Sequence, residues 1–123
     1  MKIVFRNPEV SRRFLAGLIN QGIRVKEGGL NPVHMTGWGL HIYFNVASLV
    51  NKKSICGHHA VWELEENEWA KGYEYHKGTL PVLDSYVERT VLFCVPSSIP
   101  EEQKTFILEA FRKTCEASGF KKS

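Results

Sequence analysis

The first twenty residues carry two successive hydrophobic patterns. Ile3 and Phe5 fall on one side of an alternating pattern over residues 1–6, which predicts a short β-strand. Asn7 and Pro8 follow as a helix start, because an asparagine side chain caps free amides and proline suits the first helical position. Apolar side chains then recur at helical spacing, at Val10, Phe14, Leu15, Leu18 and Ile19. These patterns predict a strand followed by a helix.

Two further segments in the first half of the chain alternate with the period of a strand. Residues 23–26 alternate apolar and basic side chains, which predicts a second strand. Residues 40–46 place four apolar side chains opposite His41, Tyr43 and Asn45. This pattern predicts a third, half-buried strand whose polar face displays a histidine and a tyrosine.

The middle of the chain is predicted to be rich in loops, and a helix follows it. Residues 51–75 are polar and aromatic, and they predict long loops around a short helix at 60–68. Pro81 then opens a helix in which Asp84 is expected to face water. The buried side of that helix is predicted to consist of Leu83, Tyr86 and Val87.

The C-terminal part of the chain predicts a strand and a long helix. Residues 91–95 are apolar on both sides, as in a central strand, and residues 100–118 form an amphipathic helix. Ser98 and Glu101 have the spacing of a capping box at its start. Its core side is predicted to carry Phe106, Ile107, Ala110, Phe111 and either Thr114 or Cys115.

The order of these elements predicts the fold class. Strands and helices alternate around a loop-rich middle, without an internal repeat or a linker. We expect an α+β two-layer sandwich, in which helices pack on one face of a small, mostly antiparallel sheet. The 123 residues are predicted to form a single domain over 1–123.

Composition narrows the possible partners. Of the 123 residues, 43% are apolar, and 16 Lys and Arg against 13 Asp and Glu give a net charge of +3. This apolar content and this net charge are ordinary for a globular domain and unlike those of a disordered chain. Basic residues occur at most in pairs, so we expect no nucleic-acid partner. The longest apolar stretch, 91–95, is far shorter than the ~20 residues that cross a bilayer, so we expect no membrane partner.

Cysteines and histidines do not form a recognisable metal site or catalytic motif. Three cysteines without CxxC spacing predict a reduced, cytoplasmic protein. Cys56, His58 and His59 are close in sequence, but adjacent histidine side chains diverge and no second pair of ligands accompanies them. No phosphate-binding loop, HExxH or GxSxG motif occurs. We therefore predict no metal ligands and no catalytic residues in this chain.

Aromatic residues are concentrated between positions 38 and 76. Two interpretations are open: these side chains form a local core under long loops, or they form a surface that binds a sugar or a protein partner. The aromatic residues are Trp38, Tyr43, Trp62, Trp69, Tyr73 and Tyr75.

Residues 77–102, KGTLPVLDSYVERTVLFCVPSSIPEE, resemble the C-terminal end of the DegT/DnrJ/StrS-type sugar aminotransferases, which use pyridoxal phosphate. That family has a Gly-x-Leu-Pro-Val entry, a helix ending in Glu-Arg, an apolar strand, a proline-bearing loop and an acidic helix start. The matching residues are Gly78, Leu80, Pro81, Val82, Glu88, Arg89, Pro96, Glu101 and Glu102. The opening strand and helix, followed by Gly22-Ile23, also fit, whereas residues 27–76 depart from the family pattern.

The resemblance implies the small C-terminal domain of a fold-type I, pyridoxal-phosphate-dependent transferase. In such enzymes a preceding large domain holds the Schiff-base lysine, the aspartate at the pyridinium nitrogen and most phosphate contacts. It implies that this chain alone binds no cofactor and is inactive, being either an expressed fragment or a truncated reading frame. Its partner would be the large domain or a full-length protomer. The family tends to be dimeric, which leaves a homodimer open.

The resemblance also implies where this domain contributes to the site. It would close over the cofactor and supply substrate contacts from the loop of its second strand. By position, the substrate-binding residues are predicted to be His34, Trp38, His41 and Tyr43. The alternative function is a stand-alone module that binds a small ligand or a protein through residues 38–76.

Overall fold

The chain forms two compact units in its computed structural model. The model describes residues 1–25, 29–56 and 59–118. The first unit consists of Met1–Trp38 and Ser85–Ser123, and the second consists of Gly39–Asp84. The prediction of a single domain stays a prediction. The described elements in chain order are β1 (Lys2–Val4), α1 (Pro8–Asn20), β2 (Asn31–His34), α2 (Met35–Trp38), α3 (Ala47–Val50), α4 (Ala60–Glu63), α5 (Pro81–Val87), β3 (Thr90–Cys94) and α6 (Glu101–Ala117), with 3-10 turns at Tyr43–Asn45 and Glu65–Ala70.

A three-stranded sheet organises the first unit. Its strands lie in the order β1-β3-β2, and β3 pairs with both neighbours in antiparallel fashion. Ile3 lies opposite Val91, and Pro32 lies opposite Phe93. The α+β class with a small antiparallel sheet is therefore confirmed, as are the predicted first strand and the central position of β3.

The core of the first unit lies between this sheet and two helices. Val91 and Phe93 share one face because alternate residues of a strand point the same way, and their exposed fractions are 0% and 3%. Phe14 and Leu18 of α1 and Ala110 of α6 pack against them. Each large apolar side chain buried in this way contributes about 1.5–3 kcal/mol to folding. Burial against β3 thus fixes both helices.

Helix α1 begins as predicted, but the strand predicted after its C-terminal end does not form in the described residues. The Asn7 side chain accepts a hydrogen bond from the Val10 amide at 2.9 Å, and Pro8 is the first helical residue. At the other end the Ile23 amide donates to the Leu18 carbonyl at 3.0 Å, so it closes the helix. The prediction of a strand at 23–26 is wrong for its described residues, while Lys26 lies outside them.

The predicted strand over residues 40–46 is also wrong. His41 has a φ of 58°, in the left-handed region, which an extended strand does not allow. The Asn45 side-chain amide donates to the Gly39 carbonyl at 2.9 Å and closes a loop, within which Tyr43–Asn45 forms a 3-10 turn. Burial does not alternate along this segment, because Leu40 and His41 are both exposed and Ile42 and Tyr43 are both buried. Besides β1, the strand that pairs with β3 is β2, which the sequence did not predict.

The short helix predicted at 60–68 is broken into two pieces. Leu64 has a ψ of 137°, an extended value that separates α4 from the 3-10 turn at Glu65–Ala70. The local sequence therefore supports single helical turns without joining them into one helix.

Helix α5 begins at Pro81 as predicted, but its buried side differs from the prediction. Val87 is 2% exposed, whereas Leu83 and Tyr86 are 42% and 47% exposed. Asp84, expected in water, is only 8% exposed because it accepts hydrogen bonds inside the second unit. The buried residues of α5 named here are therefore Asp84 and Val87.

Helix α6 has the predicted extent and a different start. Pro100 is its N-cap and makes no side-chain capping bond, so the capping box predicted from Ser98 and Glu101 is wrong. Ala110 and Thr114 are buried on its core side, while Phe106 is 48% exposed. Among the described residues, no helix has both the length and the apolar character needed to cross a membrane.

Candidate functional site

His34 lies at the junction of three elements in the first unit. It ends β2 opposite Val91 and therefore faces the side of the sheet that α1 covers. Its Nε2 is 3.1 Å from Oγ of Ser11 on α1, and its Nδ1 is 2.7 Å from Oγ1 of Thr36 on α2. The predicted site residue His34 is thus held from both sides of its ring.

The contacts of Ser11 limit how it can bond to His34. Oγ of Ser11 lies 2.7 Å from the Pro8 carbonyl oxygen, which has no proton to offer, so the serine hydrogen lies between these two oxygens. Ser11 is then an acceptor for Nε2–H of His34. The backbone of Glu88 also accepts from the ring, and Thr36 donates to Nδ1 in one tautomer and accepts from it in the other.

Burial keeps His34 neutral. Desolvation is the largest cause that lowers its pKa from the ordinary 6.5, and the positive charge of Arg12 on α1 lowers the pKa further. A hydrogen bond to the Glu88 backbone carbonyl and the Glu88 carboxylate act in the opposite direction. Because the net shift of the pKa is downward, the uncharged imidazole predominates at pH 7.

Trp38 is the second predicted site residue in the first unit. It ends α2, four residues after His34, and its side chain is half-buried. Thr36, two residues before it, is exposed. Around α2 the first unit thus presents an exposed hydroxyl and a partly covered indole within one short turn of helix.

The other two predicted residues, His41 and Tyr43, belong to the second unit. His41 is exposed, on the turn that its positive φ creates. Tyr43 is 7% exposed, its hydroxyl donates to Oδ2 of Asp84 at 3.0 Å, and it accepts from the Leu80 amide at 3.2 Å. The expectation that Tyr43 lies on the polar face of a strand is wrong, and its hydroxyl is engaged within the unit.

Asp84 is the centre of this buried polar network. Its Oδ2 also accepts from the Gly78 amide at 2.7 Å, while Oδ1 is buried and has no hydrogen-bond partner. Burying a carboxylate is costly unless hydrogen bonds satisfy it. The network therefore holds the segment 78–84 against Tyr43, and it depends on every donor that reaches Oδ2.

Sequence analysis missed Ser11, Thr36 and Asp84. Ser11 lies three and seven residues before Phe14 and Leu18, so a polar residue in the apolar stripe of α1 was the available signal. Asp84 stands three residues before buried Val87, which gives a similar signal in α5. Thr36 carries none, because a threonine two residues after a histidine does not by itself indicate a hydrogen bond between them.

The groups that a pyridoxal-phosphate site requires can be located among the described residues. Such a site needs a lysine amine for the Schiff base and a carboxylate at the pyridinium nitrogen. Asp84, the one buried carboxylate among the described residues, is already bonded to Tyr43 and Gly78. The described lysines are exposed or half-buried, at positions Lys2, Lys52, Lys53, Lys71, Lys77, Lys104 and Lys113.

Metal ligands do not converge in the described part of the chain. No group of three His, Cys, Asp or Glu side chains there could hold a metal ion. His59 Nδ1 is 2.7 Å from the Lys52 carbonyl oxygen, to which it donates, and Cys56 is exposed. His58 lies outside the described residues.

Two aromatic pairs lie in the second unit. Trp62 and Tyr75 stack edge to face with ring centroids 6.0 Å apart. Trp69 and Tyr73 form a similar pair with ring centroids 5.9 Å apart, and Trp69 is 69% exposed and Tyr73 54% exposed. The indole N–H of Trp69 donates to the Glu66 carbonyl at 3.1 Å, which fixes the ring on the surface.

No family model, curated protein or solved structure matches this chain. The resemblance of residues 77–102 to sugar aminotransferases therefore rests on the residues themselves.

Proposed function

We propose that this chain is the substrate-side small domain of a pyridoxal-phosphate-dependent sugar aminotransferase of the DegT/DnrJ/StrS type. A separate large domain supplies the lysine, the pyridinium carboxylate and the phosphate contacts, and the chain alone is inactive. The observation that carries the proposal is the structural use of the motif in residues 77–102, in which the matching residues begin, end or connect elements.

The first half of the motif builds the entry to α5. Gly78 has a φ of 103°, which favours glycine, and its amide donates to the Asp84 carboxylate. The amide of Leu80 donates to the Tyr43 hydroxyl, and Pro81 then opens α5. A Gly-x-Leu-Pro sequence suits this turn, because glycine permits the backbone and proline starts the helix. This use supports the family assignment.

The second half of the motif joins α5, β3 and α6. Arg89 follows α5, and its Nη1 donates to the Phe5 carbonyl at 2.9 Å, beside β1. Its guanidinium also lies 4.2 Å from the ring centroid of Tyr86. Glu101 and Glu102 occupy the first turn of α6, where carboxylates favour the helix dipole. An arginine and paired glutamates at these positions have local structural reasons, in agreement with a domain-defining motif.

The described chemistry fits a domain that orients a substrate and leaves proton abstraction to another. In the first unit Thr36 is exposed and Trp38 is half-buried, so these two residues can contact a polar ligand, and in the second unit His41 is exposed. Neutral His34 has both ring nitrogens occupied by protein groups, so it positions its neighbours. Pyridoxal phosphate supplies the electron sink for amino transfer when it is bound in the enzyme. We place the enzyme in the cytoplasm, because the cysteines at 56, 94 and 115 are free.

The test uses the whole polypeptide that contains residues 1–123, loaded with pyridoxal phosphate. We expect one amino acid to convert the bound cofactor to pyridoxamine phosphate, and a keto-sugar substrate to reverse the conversion. A Trp38→Ala variant should raise KM for the sugar and leave the reaction with the amino acid unchanged. Failure of every amino acid to convert the cofactor would contradict the proposal.

A second candidate function is favoured by the exposed pair Trp69 and Tyr73. Aromatic faces fixed on a surface suit stacking on a sugar or a protein side chain. We propose as the alternative that the second unit binds such a ligand without any large domain. Quenching of Trp69 fluorescence by an oligosaccharide, lost in Trp69→Ala and retained in Trp62→Phe, would favour this function over the first.

A further inference from the structure

Strand β1 lies at one edge of the sheet in the first unit. The strand order β1-β3-β2 leaves β1 and β2 each with one side that no strand among the described residues covers. In β1, Lys2 and Val4 are exposed and Ile3 between them is half-buried. An edge strand can pair with a strand of another chain, because its outward N–H and C=O groups are available for hydrogen bonds.

The hydrogen bonds between β1 and β3 show which backbone groups of β1 point outward. The Met1 amino group donates to the Phe93 carbonyl at 2.9 Å, and the Phe93 amide donates to the Met1 carbonyl at 2.8 Å. In an antiparallel pair such bonds recur at every second residue, so Ile3 bonds to β3, whereas Lys2 and Val4 do not. The N–H and C=O groups of Lys2 and Val4 are therefore directed away from the sheet.

The outer edge of β2 is interrupted by a proline. The backbone of Phe93 bonds to β1, so its neighbour on the other side, Pro32 of β2, directs its own backbone away from β3. Proline has no N–H, and an outward position on an edge strand is where a sheet accepts it. The two edges thus differ, because β1 offers both donors and acceptors and β2 lacks a donor at Pro32.

We propose that β1 pairs in antiparallel fashion with β1 of a second copy of this chain, with Lys2 of one copy opposite Val4 of the other. Each such pair exchanges both of its N–H···O bonds, and the two three-stranded sheets join into one. Pairing of β1 with β2 of another copy would build an open fibre, but Pro32 interrupts β2, so the assembly closes as a symmetric dimer. This inference goes beyond the proposed function and does not depend on it.

The charges along the edge favour this register over its two neighbours. A shift by two residues places Lys2 opposite either Lys2 or Arg6 of the second copy, and like charges directly opposite each other destabilise a sheet. In the proposed register Lys2 lies beside Val4, whose side chain is 49% exposed in one copy and gains cover in the dimer. Ile3 lies opposite its own counterpart, on the side of the sheet where it packs against the core.

The first experiment tests whether the dimer forms and which surface it uses. An interface of this size is small, so we expect sedimentation equilibrium of residues 1–123 to give a dissociation constant between about 10 μM and 1 mM. The amides of Lys2 and Val4 should become protected from hydrogen exchange as the concentration rises, while the Ile3 amide is protected throughout. A monomer at every concentration up to about 1 mM, or a dimer whose Lys2 and Val4 amides stay unprotected, would overturn the proposal.

The second experiment tests the register with two substitutions at one exposed position. Val4→Glu places a carboxylate opposite each Lys2 of the dimer, and Val4→Lys places an ammonium there. Both should leave the folded monomer intact, because the Val4 side chain is at the surface. We expect the dissociation constant of Val4→Lys to be at least about tenfold higher than that of Val4→Glu, since both symmetric pairs change sign. Equal dissociation constants would show that the register is wrong.

The third experiment tests the backbone bonds. Val4→Pro removes an outward N–H from each copy and no bond to β3, so the dissociation constant should rise about tenfold or more. Val4→Ala shortens the side chain, keeps the donor and should have a smaller effect. Protection of the Ile3 amide checks that Val4→Pro is folded, and the Glu and Lys variants test the same interface if it is not. Dimerisation of Val4→Pro as tight as that of the wild type would exclude β1 as the interface.

Discussion

Replacing Tyr43 with phenylalanine removes one hydroxyl from the buried network of the second unit. That hydroxyl donates to Asp84 at 3.0 Å and accepts from the Leu80 amide at 3.2 Å, and the substitution leaves the ring in place. After the change Asp84 keeps the Gly78 amide as its donor. Because Oδ1 of Asp84 already has no partner, the carboxylate becomes still less well satisfied.

The magnitude follows from the two lost bonds. A hydrogen bond to a charged group contributes about 1.5–3 kcal/mol, and a donor left without an acceptor costs about 1–3 kcal/mol. Leu80 is at the surface, where water can replace part of its lost bond, so we expect a destabilisation of about 3 kcal/mol in the second unit. Domains are stable by about 5–15 kcal/mol, so this is a large fraction.

Amide hydrogen exchange localises the effect, since proteins open in local cooperative units as well as globally. We expect exchange at Gly78 and Leu80 to accelerate by about two orders of magnitude, because each tenfold corresponds to ~1.4 kcal/mol. Tyr73→Phe is the matched control, since Tyr73 is 54% exposed and should change stability by less than about 0.5 kcal/mol. Equal exchange rates in the two variants would refute a structural role for the Tyr43 hydroxyl.

Two further predictions concern the first unit. The pKa of His34 is lower in the folded chain than its ordinary 6.5, so its contribution to stability is complete above pH 6.5 and is lost as the pH falls through the folded pKa. Urea unfolding at several pH values should show this loss of stability, and His34→Gln should reduce the pH dependence. Gly17→Ala should destabilise the protein by about 1–3 kcal/mol, because the added Cβ would lie 2.7 Å from a methyl group of Thr114 on α6. Gly37→Ala is the control and should have a mild effect in the same urea unfolding assay, because the nearest atom to its added Cβ would be 4.0 Å away. Similar losses of stability in the two variants would contradict the close approach of α1 and α6.

Local signals in the sequence were sufficient for the elements that tertiary contacts reinforce. Asn7 and Pro8 start α1 where their chemistry predicts, and the apolar run of β3 occupies the centre of the sheet. Both depend on neighbours within a few residues or on burial from both sides. In such segments the capping residues and the spacing of apolar residues favour the same element as the tertiary contacts do, which explains why these elements could be predicted.

The errors arise where a long-range contact overrides the local pattern. The alternation in residues 40–46 indicates a strand, but the left-handed backbone of His41 and the buried bond from Tyr43 to Asp84 require turns. Strand β2 was missed because Pro32 removes a donor and is unfavourable in most strands. It is accommodated here in β2 at the edge of the sheet.

The candidate site could be predicted only in part, for the same reason. His34, Trp38, His41 and Tyr43 were predicted by their positions, and their role in substrate binding stays a prediction. Ser11 and Thr36, which lie on either side of the imidazole, are separated from each other by two secondary-structure boundaries. A sequence pattern does not show that both hydroxyls lie against the same imidazole.

The central claim is that this chain serves an aminotransferase whose cofactor lysine lies in another domain. The most direct test loads the whole polypeptide containing residues 1–123 with pyridoxal phosphate, reduces it with borohydride and locates the phosphopyridoxyl-lysine by peptide mass spectrometry. We predict one stoichiometric adduct, on a lysine outside residues 1–123. A stoichiometric adduct on a lysine within residues 1–123, or none at all, would contradict the claim.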